Sequence, residues 1–166
     1  MSFANRFAVV LVSSTTLLGL TACSDGEDLA ARQAAVAEAG ADVMPFDLDA
    51  TTHVFTTTDS GGIQDVIADD ASDSANIALI EVHLAEEAAK FQAGDFSDPE
   101  AIHGPGMPGL SVLKERYQEV EVDLLPHSEG ATLTFSASDP EVVEAIHAWF
   151  DAQVSDHGEH AEHANQ

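Results

Sequence analysis

The sequence predicts an α+β domain: a four-stranded, mostly antiparallel sheet with helices on one face, in the order β-β-α-α-β-β-α. Three observations predict it. Val120, Val122 and Leu124 alternate with Glu119, Glu121 and Asp123, the period-two pattern of a strand with one apolar and one acidic face. Ile77, Ile80, Leu84, Ala88 and Phe91 recur at helical spacing, as do Val143, Ile146, Phe150 and Val154. Finally, hairpin-like pairs of strands are separated by helical stretches, which argues against a strictly alternating parallel sheet.

The elements follow in order. Ser24 to Asp49 is alanine-rich around Glu27–Ala39 and offers few large apolar side chains, so it reads as a tether, helical or disordered. Thr51 to Thr57, rich in Thr, Val and Phe, is a strand. Asp59-Ser60-Gly61-Gly62 turns the chain and Ile63 to Ala68 returns it, giving a hairpin. Asp73 or Ser74 caps a helix that ends near Ala93, where Gly94 stops it. Gly94 to Gly109, with Pro99, Pro105 and Pro108, is a long loop, and Leu110 to Tyr117 a short helix. Val120 to Leu124 is the third strand, Pro126 to Gly130 a turn, and Thr132 to Phe135 the fourth strand. Ser138 or Asp139 caps the last helix, with Pro140 in its first turn.

The N-terminus points to export. Arg6 precedes a short apolar run, Ala8 to Leu20, interrupted by Ser13 to Thr16 and too short to span a bilayer. It ends in Leu20-Thr21-Ala22-Cys23, which resembles the lipobox of bacterial lipoproteins. That resemblance implies cleavage before Cys23, lipid on its sulfur and amine, and a location in the cell envelope, facing the periplasm or the cell surface. Two or three acyl chains anchor far more firmly than one. The expected organisation is a signal peptide at 1–22, lipidated cysteine and tether at 23–48, one domain at 49–156 and a His-rich flexible tail at 157–166.

Composition narrows function. Thirty Asp and Glu face five Lys and Arg, and every acid lies after Ala22. A chain with no basic patch does not grip phosphates, which excludes nucleic acid as a partner and makes direct adsorption to anionic headgroups equally implausible. The scattered acids read as a solvated surface, with a cation-attracting surface as the alternative. Cys23 is the only cysteine, so the mature chain has no internal disulfide or thiolate metal site. With no Gly-x-Ser-x-Gly, free thiol or Gly-rich phosphate loop, nucleophilic catalysis has no support.

Met44-Pro45-Phe46-Asp47, Thr52-His53-Val54-Phe55, Gly94 to Pro99, Ile102-His103-Gly104, Met107 to Leu110 and His147 to Gln153 together resemble a family of small bacterial proteins often labelled aspartate carbamoyltransferase. That enzyme needs two α/β domains and a basic, phosphate-gripping Ser/Thr/Arg site. The mature part of this chain has only Arg32 and Arg116 as arginines and no Ser-Thr-Arg-Thr run. The resemblance therefore implies a shared domain and supplies no mechanism.

Eight histidines are the unusual feature. His53 shares a strand face with Phe55 and so faces inward with it, and His147 lies between Val143 and Phe150 on the last helix, facing inward or at the edge of the core; each is a ligand or a hydrogen-bonded core residue. His83 precedes Glu87 by one turn and reads as a surface pair. His103 and Met107, four apart in the Gly/Pro-rich loop, suit copper, since imidazole and thioether both bind Cu(I). His157, His160 and His163, with Asp156, Glu159 and Glu162, form a tract that suits loose chelation or a solvated end. The expectation is a lipid-anchored extracytoplasmic binding protein for a transition metal, Cu or Zn, with His53, His103 and His147 sharing one ion. The alternative is a non-enzymatic scaffold lipoprotein with structural histidines; a metal-assisted enzyme ranks behind both.

Overall fold

β1 (Thr51–Thr58) and β2 (Gly61–Ala68) pair antiparallel, with His53 opposite Val66 and Phe55 opposite Gln64. β3 (Glu121–His127) and β4 (Gly130–Ser136) form a second hairpin, and β4 joins β2 with Leu133 opposite Gln64. The computed structural model describes residues 24–164; residues 1–22, read above as a signal peptide, and Cys23 lie outside them. A fifth strand, β5 (Ala161–His163), runs parallel to β1 with Ala161 beside His53. The sheet order is β3-β4-β2-β1-β5.

The four-stranded, mostly antiparallel sheet is thus corrected to five strands and a mixed sheet, still in an α+β arrangement. The reason lies in backbone pairing. β1 has a free edge whose amide and carbonyl groups want partners, and the tail supplies them, with Ala164 N–H also donating to the carbonyl of Phe55. Ala161 is buried there, so the tail is not a solvated end. Three residues carry no readable period, so this strand is invisible to pattern.

Five α-helices accompany the sheet among the described residues: α1 (Ser24–Val43), α2 (Ser74–Gln92), α3 (Ser97–His103), α4 (Leu110–Glu115) and α5 (Pro140–His157). Asp73 caps α2 by accepting from Asn76 N–H, and Asp139 caps α5 by accepting from Glu141 N–H. Both long helices that meet the sheet cover the face carrying His53, Phe55, Leu133 and Phe135. α2 sets Phe91 against Phe135; α5 sets Phe150 against Phe55 and Trp149 edge-on to Phe135. In β3 the predicted alternation holds: Val122 is buried while Glu121 and Asp123 are exposed.

Two segments differ from expectation in ways that build the site. The stretch read as a long loop contains α3, whose last residue is His103. The alanine-rich segment forms α1, which packs on α3 and α5 and buries Val36. Small residues let α1 approach closely; what they lack in apolar area, Arg32 supplies as an ion pair. Among the described residues no helix is long and apolar enough to cross a membrane.

Candidate functional site

Three elements deliver histidines to one place beneath the β1 side of the sheet. His53 points inward because it alternates with Phe55. His103 ends α3. His157 ends α5, where Gly158 follows with φ 58°, a left-handed backbone that glycine adopts readily. A Cβ at Gly158 would also press on Gln33 of α1. The imidazoles of His53 and His157 stack with centroids 5.5 Å apart, and His103 meets His157 edge-on at 4.9 Å.

An ion pair holds this cluster from behind. Asp156 accepts from Arg32 Nε at 2.7 Å and from His103 Nδ1 at 2.9 Å, and Arg32 also donates to the His103 carbonyl at 3.0 Å. Burial alone would raise the Asp156 carboxyl, but the hydrogen bonds from Arg32 and His103 outweigh it and hold it below the usual range. An ionised Asp156 requires the His103 proton on Nδ1. Its Nε2 is then a lone-pair acceptor.

Burial keeps the imidazoles neutral. It is the leading cause that pushes His53 down to about 4, partly offset by the backbone of His160. It also pushes His157 down to about 3, helped by His53 and His103 as neighbouring potential cations. His103 is lowered too, burial outweighing Asp156. A second polar group lies on α2: Lys90 bridges Glu87 at 2.8 Å and Asp98 at 2.5 Å, with His83 nearby. Burial raises the Glu87 carboxyl to about 7, against the pull of Lys90.

Between these groups is a cavity of about 50 Å³, room for a few water-sized groups. Its wall includes His53, His83, Glu87, His103, Trp149, Gln153 and His157, together with apolar Leu84, Phe91 and Leu133. Three buried polar atoms of this wall have no hydrogen-bond partner among the described residues: His53 Nδ1, Trp149 Nε1 and Gln153 Oε1. Native interiors satisfy nearly all buried polar atoms, so three in one cavity call for an explanation.

Of the residues singled out from sequence, His53, His103 and His157 meet here. His147 does not: its Nε2 donates toward the carbonyls of Thr58 and Gly61, at 3.0 and 2.9 Å, tying α5 to the first hairpin. Met107 is a core residue. His160 lies 3.7 Å from Asp49, and the exposed His163 lies 3.5 Å from Asp151. Among the described residues, no three His, Cys, Asp or Glu side chains converge to hold a metal ion. Sequence reasoning missed Arg32, Gln153 and Trp149, and read the buried His83 and Glu87 as a surface pair. The available signal was spacing: Trp149, Gln153 and His157 recur every four residues on α5, and His83, Glu87 and Phe91 do so on α2. Comparison with protein-family profiles, with curated proteins and with solved structures finds no match.

Proposed function

We propose that this protein is a lipid-anchored, extracytoplasmic binding protein that takes a small ligand into the His53–His103–His157 cavity. The observation that carries this reading is the trio of unpartnered buried atoms on one cavity wall, His53 Nδ1, Trp149 Nε1 and Gln153 Oε1. A buried unmade hydrogen bond costs roughly 1–3 kcal/mol, and a ligand supplying the missing partners recovers part of it. Neutral imidazoles also suit Cu or Zn in type. However, the absence of three converging ligands among the described residues favours a small molecule over a metal ion. The anchor rests on Leu20-Thr21-Ala22-Cys23.

The test uses the full chain extracted from membranes. Native mass spectrometry is expected to find one small molecule per protein, lost on unfolding. Trp149 is the sole tryptophan, so its fluorescence should change with that loss. Recovery of the folded chain with no bound molecule, and no fluorescence response to any added small-molecule pool, sinks the reading. Palmitate labelling should vanish in Cys23→Ser; labelling at the wild-type level removes the anchor.

A further inference from the structure

Resting on that binding reading, we infer the ligand's chemical class from the cavity wall. The ligand is a small uncharged molecule that presents a hydrogen-bond acceptor and a donor side by side, as a primary amide does.

The inference begins with polarity. Indole Nε1–H only donates, so Trp149 needs an acceptor; an amide oxygen only accepts, so Gln153 Oε1 needs a donor. His53 Nδ1 takes either role, and His103 Nε2 is an acceptor because its other nitrogen donates to Asp156. One occupant that both accepts and donates satisfies this wall; a purely accepting anion leaves Gln153 unmet, and a purely donating cation leaves Trp149 unmet.

Charge agrees. Asp156 is answered by Arg32, and Lys90 by Glu87 and Asp98, so each nearby charge already has a partner. The imidazoles facing the cavity sit among Phe, Leu and Trp side chains. An ion brought into such a wall loses its hydration without gaining a counter-charge, which is strongly unfavourable. Size sets the last limit: about 50 Å³ admits only a few heavy atoms, and the apolar side of the wall suits a methyl or methylene group.

The experiment follows the Trp149 indole N–H resonance of the full chain by NMR during titration with acetamide, acetate, methylammonium and Zn²⁺. Acetamide and acetate share shape and differ in charge and donor capacity. Acetamide is expected to shift the resonance saturably, with a Kd of about 1 mM or tighter, and at least about tenfold tighter than acetate or methylammonium. Gln153→Met keeps bulk but removes the acceptor, and should weaken acetamide about tenfold while leaving the remaining spectrum unchanged. If that variant misfolds, the comparison of probes on the wild-type chain decides alone. Acetate, methylammonium or Zn²⁺ binding as tightly as acetamide overturns the ligand class and leaves the binding reading standing. No response to any probe, with water alone satisfying the three atoms, overturns both.

Discussion

Two histidine–carboxylate pairs of nearly equal length lie in this molecule and do different things. His103 Nδ1 meets Asp156 at 2.9 Å, and His127 Nε2 meets Asp65 at 2.8 Å. The first pair is buried, its side chains 1% and 9% exposed; the second sits on the open sheet face at 29% and 35%. His127 also accepts from Glu129 N–H at Nδ1, so both its nitrogens are used locally. His103 uses one nitrogen for Asp156 and keeps the other on the cavity side. A carboxylate beside a histidine is therefore no signature by itself. What separates the pairs is burial: the same contact is closed off from water in one and open to it in the other.

The sharpest way to separate buried from exposed histidines is pH. His53 has a folded value of about 4 against about 6.5 for the free side chain, and His157 about 3. Between those values the unfolded chain binds more protons, so stability is full above about pH 6.5 and falls as pH drops toward 4. The slope is about 1.4 kcal/mol per pH unit for each buried imidazole, or about 3 kcal/mol for His53 across its window. Glu87, raised to about 7, acts in the opposite sense between roughly 4.5 and 7, where the folded state holds the extra proton and stability grows on acidification. Two imidazoles outweigh one carboxyl, so urea unfolding should show net loss on acidification. His53→Phe should flatten that slope by about 1.4 kcal/mol per unit; an unchanged slope would break the buried-imidazole account.

Next in size is Asp156→Ala, which strands His103 and Arg32. Removing one partner of a fully buried pair costs about 3–5 kcal/mol, but the Arg32 side chain is 45% exposed and returns to water, so about 2 kcal/mol is expected in denaturant unfolding. Deleting residues 158–166 removes β5 and should cost about 1 kcal/mol from Ala161 burial and strand pairing. Faster deuterium exchange along β1 is the check, and unchanged exchange there would argue against a fifth strand. Smallest is Asp65→Ala, whose exposed pair should contribute about 0.5 kcal/mol or less. A loss equal to that of Asp156→Ala would erase the contrast on which this comparison rests.

Legibility followed the length of the pattern. The α2 stripe and the Glu121–Asp123 alternation were readable, because burial of one face selects apolar residues at a fixed period; on α5 Ile146 and Phe150 are buried as read, while Val143 and Val154 are only partly buried and the inner face is centred on Val142, Trp149 and Gln153. α3 was hidden by Pro99, which a first helical turn tolerates, and by Pro105 and Pro108 just beyond it. α1 was hidden by its alanines, because its docking uses one buried valine and one arginine. Inward placement of His53 was readable from Phe55, and the partnership with His157 was not, since it depends on β5 turning α5's end toward β1. His147 was read as inward or at the edge of the core, as a ligand or a hydrogen-bonded residue, and it is the second: half-buried, it spends its ring nitrogen on two backbone carbonyls of a hairpin far away in sequence.

The sequence by itself determined the α+β class and both hairpins, and narrowed the caps of the two long helices to Asp73 or Ser74 and Ser138 or Asp139. Each of these follows from local periodicity, local hydrogen bonding or composition. The tertiary structure alone decided the fifth strand and the parallel pairing at the β1 edge. It also decided the choice of His53, His103 and His157 over His147, and the gathering of Arg32, Trp149 and Gln153 around one cavity. The physical reason is range: Arg32 and Asp156 are separated by 124 positions, and no local pattern encodes an ion pair made when two helices dock.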